Sequence, residues 1–187
     1  MRLFTPDGST QATIRAGSSD DAEMLAVLGA RLFVQAYGPT HPEPELTPYL
    51  ERSFAPWRWA GALADTSVTV LVAEDRRGAP AGYAMLRESL PVPSGVVGAR
   101  PLEIQRFYVD EAWHGRGVAQ TLMAACVQEA ERRESDVLWL SVWQESPRPQ
   151  AFYARMGFRV VGTTTFLFGQ RVDEDFVMQR PVPASTS

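Results

Sequence analysis

The sequence predicts an α/β protein in which a mixed, mostly antiparallel sheet of about seven strands is flanked by about four helices. The main evidence is periodicity: apolar and β-branched extended segments are interspersed with segments whose apolar residues recur three and four positions apart. Their order along the chain is β, α, α, β, β, β, α, β, α, β, β. The chain has 187 residues, a length typical of one domain. We therefore expect a single domain over 1–187, with a core at 12–180 and a flexible tail at 181–187.

The N-terminal part of the chain predicts one strand and two helices. Residues 12–17 form a short extended segment, and 18–37 begin with serine and aspartate residues that favour a helix N-terminus. A proline- and acid-rich segment, 38–54, follows and becomes helical from Leu46. We expect this segment to form a wall on the substrate side. The first helix carries one apolar stripe, consisting of Met24, Leu25, Leu28, Leu32 and Phe33.

The middle of the chain predicts three strands and a long helix. Residues 67–75 and 79–89 are apolar strands joined by an Arg-Arg-Gly turn, which indicates an antiparallel hairpin. Residues 101–110 form a third extended segment, and a helix follows over 117–133. The buried face of that helix is predicted to contain Val118, Leu122, Ala125, Cys126 and Ala130.

The C-terminal part predicts a strand, a helix and two further strands. Residues 136–143 are apolar and extended, whereas 147–158 begin with proline and end near a glycine, as helices often do. The segments 158–168 and 171–180 complete the sheet. Exposed strand edges in this part of the chain are compatible with a homodimer.

Composition limits the classes of function. Apolar residues make up 45% of the chain and charged residues 21%, an ordinary globular mixture. The net charge of −4 argues against nucleic-acid binding, which needs a basic surface, and suits a neutral or cationic substrate better. One cysteine and two histidines provide neither a disulfide nor the ligand spacing of a metal site, so we expect no metal. No segment has the length and hydropathy of a membrane span or a secretion signal, so we expect a cytoplasmic protein without membrane contact.

Residues 113–123, WHGRGVAQTLM, place two glycines around an arginine between a predicted strand and a predicted helix. The first amides of a helix have no partner within it and carry partial positive charge, so a glycine turn leading into a helix binds phosphate oxygens. Gly115 and Gly117 let the backbone approach such an anion closely, and Arg116 adds a positive charge. The alternative is that the glycines serve only a tight connection between strand and helix.

Two other phosphate-binding motifs fit this turn less well. A P-loop requires a lysine that is absent here, and a dinucleotide-binding fingerprint has glycine where this chain has Gln120. Glu145, after the next strand, can mimic the acid that binds a ribose, so a dinucleotide-dependent oxidoreductase stays an alternative. The preceding strand argues against it, because Glu103, Gln105 and Arg106 are polar where such a fold buries an apolar strand. A strand this polar is accessible to a ligand.

Two segments together resemble the GCN5-related N-acetyltransferase family. The first is the turn, which is similar to the family's pyrophosphate loop, Gln/Arg-x-x-Gly-x-Gly/Ala, with a histidine in the first place. The second, ESPRPQAFYARMGF at 145–158, resembles the family's Asn-x-x-Ala-x-x-Phe-Tyr-x-x-x-Gly-Phe helix, with Ser146 in place of asparagine. The stretches LWLSVWQESPRPQAFYARMGF and FLFGQRVDEDFVMQR further resemble the branch of the PaiA polyamine acetyltransferases. The loop residues are His114, Gly115, Arg116, Gly117, Val118 and Ala119.

The resemblance implies a fold, a reaction and a cosubstrate. A member of this family is a single acyl-CoA N-acyltransferase domain of the GNAT fold and moves an acetyl group from acetyl-CoA to a primary amine. The acceptor implied here is a polyamine-like small molecule, or a protein N-terminus or lysine. Coenzyme A is expected in a cleft beside the strand at 101–110, its pyrophosphate on the turn and its pantetheine paired with the strand's backbone. The residues expected to contact it are the six loop residues, Phe107, Tyr108, Val109, Ser146 and Tyr153.

Two residues are predicted to catalyse the transfer. Tyr153 falls where the family places a tyrosine that protonates the coenzyme A sulfur, and a phenol is a donor at neutral pH; alternatively, it packs in the core beside Phe152. Glu103 falls where several members carry a glutamate that removes the amine proton through water, and partial burial would raise its pKa toward that of a base. Alternatively, Glu103 is solvated or salt-bridged to Arg87 or Arg106.

Direct attack by the amine in a ternary complex is favoured over a covalent acyl-enzyme, because no cysteine or serine has an evident base partner. Cys126 is expected to be a small buried apolar residue. Trp57 and Trp59 lie in the variable segment 37–65 and are candidates for lining the acceptor pocket, with core packing as the alternative. A binding module that senses acyl-CoA without turnover is the main alternative function; in such a module Tyr153 and Glu103 would be dispensable.

Overall fold

The computed structural model describes residues 12–41 and 43–183. The strands in this part of the chain are β1 (Ala12–Ala16), β2 (Val68–Asp75), β3 (Pro80–Arg87), β4 (Pro101–Val109), β5 (Val137–Trp143), β6 (Arg159–Phe168) and β7 (Arg171–Pro181). The α-helices are α1 (Ala22–Tyr37), α2 (Leu46–Ser53), α3 (Pro56–Ala64), α4 (Val118–Arg132) and α5 (Pro147–Arg155). Short 3-10 turns at Ser19–Asp21 and Glu111–Trp113 precede α1 and follow β4.

The described residues form one sheet of seven strands in the order β1-β2-β3-β4-β5-β7-β6. β4 and β5 are parallel, whereas β1 with β2, β5 with β7 and β6 with β7 are antiparallel. The predicted fold class, a mixed and mostly antiparallel sheet flanked by helices, is therefore confirmed. The segment after α1 forms two helices where the sequence predicted one. Pro56 accounts for the break, because it holds Ala55 in an extended conformation (ψ 139°) and begins α3.

The chain divides into two compact units. The first comprises Arg106–Ala125 together with the described residues up to Met85, and the second comprises Leu86–Gln105 together with the described residues from Cys126 onward.

In the first unit, α1 packs against α3. A Cβ on Gly29 of α1 would lie 2.7 Å from the Phe54 ring and 3.0 Å from the Trp59 ring, so the close approach of the two helices depends on this glycine. The predicted apolar stripe of α1 is buried except for Met24, which is half-buried.

An ion pair ties the start of α1 to the sheet of the first unit. The Arg15 guanidinium donates two hydrogen bonds of 2.7 Å to the Asp21 carboxylate and one of 2.7 Å to Glu74 on β2. The Ser18 amide donates a further bond of 2.7 Å to Asp21. The Arg15 hydrogen bonds outweigh the effect of burial and lower the pKa of Asp21 to about 2.

In the second unit, β5 is the most deeply buried strand. Six of its seven residues are buried, all except Ser141, and it pairs with β4 on one side and β7 on the other. Its near-continuous apolar sequence is typical of a strand covered on both faces. In contrast, the β6–β7 hairpin exposes Val160, Leu167 and Val172. The homodimer stays a prediction for this edge.

Candidate functional site

The glycine turn of the first unit lies where the sequence predicted it, at the entry to α4. The Asp110 carboxylate accepts a hydrogen bond of 3.0 Å from the Ala112 amide, which starts the 3-10 turn after β4. Gly115 and Gly117 then adopt positive φ angles of 74° and 80°, a conformation that favours glycine. No atom lies within 4 Å of the place that a Cβ on Gly115 would occupy. The turn therefore presents bare backbone to open space.

The first amides of α4 have no partner within the helical hydrogen-bond ladder. The first bond of the helical ladder runs from the Thr121 amide to the Gly117 carbonyl, at 3.0 Å. The amides of Val118, Ala119 and Gln120 precede it, as the unpaired amides of a helix N-terminus do. With the partial positive charge of a helix of 15 residues behind them, they form an anion-binding position.

Two charged or titratable side chains flank this turn. The His114 ring donates from Nε2 to the Val109 carbonyl at 2.9 Å, so the histidine links the turn to the end of β4. The exposed Arg116 guanidinium lies 5.4 Å from the centre of the Trp113 ring. Arg116 can therefore turn toward an anion bound at the glycines without breaking an ion pair within the described residues.

The strand that leads to the turn begins beside a parallel neighbour, β5. Within the described part of the second unit, the register of β4 with β5 runs from Pro101 opposite Val137 to Glu103 opposite Trp139 and ends there. In the first unit, residues 106–109 of the same strand are half-buried. Phe107, Tyr108 and Val109, the three residues predicted to pair with pantetheine, are thus only partly covered.

Glu103 is half-buried in the second unit and accepts a hydrogen bond from the Ser89 hydroxyl. Burial raises the pKa of this carboxyl, although the Ser89 hydrogen bond and the nearby Arg87 charge act in the opposite direction. A carboxylate with a raised pKa is a better proton acceptor than an exposed one. The direction of this pKa shift agrees with the expectation for Glu103, and its role as the base stays a prediction.

The two predicted residues of α5 also lie in the second unit. Ser146 precedes the helix, and its amide donates to the Trp143 carbonyl at 3.1 Å. Tyr153 is 8% exposed, with its ring centre 5.9 Å from that of Phe158. The Gln150 amide group donates to the carbonyls of Trp143 and Gln144 at 2.9 Å each, which fixes α5 against the end of β5.

Three further sequence predictions have clear positions. Cys126 is buried, and burial raises the pKa of its thiol, which makes it a poor nucleophile. Trp59 is 2% exposed and packs in the interior of the first unit, whereas Trp57 is 68% exposed.

No group of three or more histidine, cysteine or acidic side chains in 12–41 and 43–183 is arranged to hold a metal. No described helix has the length and apolar character needed to cross a membrane.

Sequence reasoning missed one cluster of the first unit, in which Arg106 lies among aromatic rings. Its guanidinium carbon is 4.4 Å from the centre of the Phe54 ring and 5.6 Å from that of Trp59. Its Nη2 donates to the Ser53 carbonyl at 3.2 Å. The sequence showed a polar residue in an accessible strand, but the rings come from the C-cap of α2 and from α3, which only the tertiary structure brings to β4.

Comparison with known proteins agrees with this fold. The acetyltransferase (GNAT) family matches residues 31–158. An uncharacterized N-acetyltransferase of Mycobacterium tuberculosis is 32% identical over 160 residues, which cover 86% of this chain and 97% of that protein. The crystal structure of PaiA N-acetyltransferase from Thermoplasma acidophilum in complex with coenzyme A superimposes with a TM-score of 0.74 at 17% identity, covering 91% of this chain and 98% of that one. A spermidine N-acetyltransferase chimera from Vibrio cholerae and hSSAT gives a TM-score of 0.68 at 18% identity, covering 92% and 96%.

Proposed function

We propose that this chain, which belongs to the acetyltransferase (GNAT) family, catalyses direct attack of a primary amine on the thioester of acetyl-CoA. The enzyme class and the cosubstrate follow from the family: the chain is an N-acetyltransferase that uses acetyl-CoA. The finer assignments below, of individual residues and of the acceptor, are our proposals.

The observation that carries the proposal is the glycine turn before α4. Gly115 and Gly117 have positive φ angles, and the space above Gly115 is open. We assign the coenzyme A pyrophosphate to the backbone of His114–Ala119, with Arg116 adding positive charge. The pantetheine is assigned to the backbone of Phe107–Val109, and a further cofactor contact to Ser146.

The proposed chemistry transfers the acetyl group without a covalent enzyme intermediate. The amine nitrogen attacks the thioester carbon, the C–N bond forms, and the C–S bond breaks to release the coenzyme A thiolate. Glu103, through a water molecule, takes the proton that the amine loses, and the Tyr153 hydroxyl gives a proton to the thiolate. The burial of Cys126 supports this route over an acyl-cysteine, because a buried thiol with a raised pKa is rarely a thiolate.

The name of one structural neighbour, a spermidine N-acetyltransferase chimera, places polyamines among the acceptors to test first, and the sequence resemblance to the PaiA branch agrees with it. A protein N-terminus is supported in the same way by a neighbour that acetylates the alanine of ribosomal protein S18. Both likenesses concern the fold, since the identities are 16–18%. The acceptor panel therefore includes polyamines, amino acids, aminoglycosides, and peptides with free N-termini or lysines.

The test is thiol release from acetyl-CoA against this panel, with Tyr153→Phe and Glu103→Gln measured beside the wild type. We expect amine-dependent release that falls in both variants while coenzyme A still binds. Glu23→Gln, at an exposed position in the first turn of α1, is the matched control for a lost carboxylate. Release that is unchanged in both variants would remove the two residues from catalysis. Coenzyme A binding without release for any acceptor would favour the acyl-CoA sensor.

A further inference from the structure

Arg106 is a half-buried cation of the first unit without an anionic partner. None of the described carboxylates forms an ion pair with it. A guanidinium has five N–H donors, and the structure gives Arg106 one hydrogen bond, from Nη2 to the Ser53 carbonyl. Burying a charge is unfavourable unless an opposite charge or a full set of hydrogen bonds compensates it. The position therefore has spare capacity for an acceptor of negative charge.

Two other buried donors of the first unit also lack a partner. Tyr83 is 0% and Trp59 2% exposed, and neither the Tyr83 hydroxyl nor the Trp59 Nε1 has a hydrogen-bond partner among the described residues. Their ring centres are 5.2 Å apart. Arg106 lies over the Trp59 ring, and its charge opposes the rise that burial causes in the pKa of Tyr83. Two buried donors without a partner thus lie beside an arginine that has spare N–H groups, which is unusual in a folded interior.

The cluster is closed on one side and partly open on the other. Phe54, Trp59 and Tyr83 are buried, whereas Arg106 and Tyr108 are half-buried. The Tyr108 and Tyr83 rings are tilted by 30° with their centres 5.7 Å apart. The buried Phe33 ring has further aromatic neighbours at 4.7–6.5 Å, namely Tyr37, Tyr49 and Tyr108. The half-buried arginine is therefore bordered by aromatic rings, which suit the apolar part of a small ligand.

We propose that Arg106, Tyr83 and Trp59 form a carboxylate-binding site, and that the acceptor is a small amine that also carries a carboxylate. This inference rests on the proposed function for the identity of the acceptor. A carboxylate offers about four lone-pair positions, which matches a guanidinium edge together with two neutral donors. The location agrees as well, because Phe54 belongs to the segment predicted to form the substrate-side wall and Trp59 is a predicted candidate for lining the acceptor pocket. Arg106 immediately precedes the strand residues assigned to pantetheine.

The same cluster disfavours a polyamine. Two of its groups, the Trp59 Nε1 and the Arg106 guanidinium, can only donate hydrogen bonds, and the guanidinium carries a full positive charge. A polycation would add positive charge beside Arg106 without supplying an acceptor. A phosphate dianion carries two negative charges, and the single guanidinium that lies over the Phe54 and Trp59 rings, that of Arg106, matches the one charge of a carboxylate better.

The decisive experiment uses pairs of acceptors that differ only in the carboxylate. Each amino acid is compared with its decarboxylated amine: phenylalanine with phenylethylamine, leucine with isopentylamine, and lysine with cadaverine. We expect kcat/KM to be at least about 30-fold higher for the carboxylate member of the preferred pair, the usual scale for a desolvated charge pair. In Arg106→Met, which keeps an unbranched apolar stem, that preference should disappear. Arg58→Lys, at an exposed arginine of α3, is the control and should keep it.

A second variant, Tyr83→Phe, keeps the proposal testable if Arg106→Met does not fold. Tyr83→Phe removes a hydroxyl that has no partner in the structure, so it should fold as stably as the wild type and reduce the carboxylate preference about 2- to 10-fold. Binding is measured separately from turnover, by thermal stabilisation with 3-phenylpropanoate, which has a carboxylate and no amine. We expect this probe to stabilise the wild type and not Arg106→Met.

Each outcome decides between the two proposals. Equal or better use of the decarboxylated amines would overturn the carboxylate site and leave acetyl transfer standing. Stabilisation by 3-phenylpropanoate that depends on Arg106, with no acetylation of any amine, would keep the site and overturn the proposed reaction. Neither stabilisation nor acetylation would overturn both, and the unpaired donors would then be explained by bound water.

Discussion

The substitution Gly82→Ala tests whether packing inside the first unit positions the proposed cofactor strand. Gly82 lies in β3, and a Cβ there would stand 2.6 Å from the Tyr108 carbonyl oxygen and 3.0 Å from the Val109 Cα. Both partners are backbone atoms of β4, which cannot rotate away as a side-chain terminus does. The alanine must therefore move β4 itself at the residues to which we assign pantetheine.

The size of the effect follows from these distances. Cβ atoms essentially never approach another heavy atom closer than 3.0 Å, so the carbonyl must move by at least 0.4 Å from its present 2.6 Å. Overpacking of this kind costs about 1–3 kcal/mol of unfolding free energy. For a chain of this length each kcal/mol lowers Tm by about 2–4 °C. Because a misplacement of about 1 Å at a functional site can cost 10²-fold, we expect the Kd of coenzyme A to rise about tenfold.

Urea unfolding and calorimetric titration with coenzyme A measure the two effects separately. Gly61→Ala in α3 is the matched control, because nothing lies within 4 Å of its Cβ position. It should stabilise the protein by about 0.5–1 kcal/mol through helix propensity and leave coenzyme A binding unchanged. If Gly82→Ala instead matched the wild type in both stability and Kd, the contact between β3 and β4 would not position the strand.

Three other predictions concern catalysis, cofactor binding and stability. Glu103→Gln should lower kcat about 10²-fold. It should also abolish the acidic limb of the pH–rate profile, because in the wild type the rate decreases below the raised pKa of this carboxyl. An unchanged profile would exclude Glu103 as the base. Gly115→Ala should weaken coenzyme A binding. Its control is Gly78→Ala, at a similar φ (81° against 74°) and with equal open space, which should add the same strain of about 1–2 kcal/mol without affecting binding. Equal affinities of the two variants for coenzyme A would contradict the pyrophosphate assignment. Asp21→Asn should cost about 1–2 kcal/mol at pH 6, by urea unfolding. That cost should vanish as pH falls from the unfolded pKa of 3.8 to about 2, because Arg15 stabilises only the carboxylate; a cost that persists at pH 2 would show that Asp21 acts through packing.

Most secondary structure was predictable because it depends on local pattern. The strands at 12–17, 67–75 and 136–143 were predicted within one or two residues of their observed bounds, since apolar runs between turn residues are specific to strands. The division of α2 from α3 was missed. The second helix begins at a proline after only two intervening residues, Phe54 and Ala55, and sequence periodicity is ambiguous over such short segments.

The same distinction applies to the candidate site: features set by local sequence were predictable, and features set by tertiary contacts were not. The glycine turn was visible in the sequence because positive φ angles restrict the residue type at each position, so Gly115 and Gly117 carry their conformation in their identity. The pKa of Glu103 was predictable in direction only, because its burial and the hydroxyl of Ser89 come from folding. The Arg106 cluster was not predictable, since its rings come from separate helices and strands. No local rule identifies the partners of a lone arginine in a polar strand.

The cost of placing an arginine at position 106 supports a role in binding. Its hydrogen bond to Ser53 and its contacts with Phe54 and Trp59 compensate only part of the desolvation of the guanidinium. An apolar side chain would fill the same space among the rings without that cost, and replacing buried charges by well-packed apolar groups is often neutral or stabilising. Stability alone does not favour a partly unsatisfied cation beside two buried donors that lack acceptors. A ligand carboxylate at Arg106, as proposed above, supplies the opposite charge that this arginine lacks within the described structure.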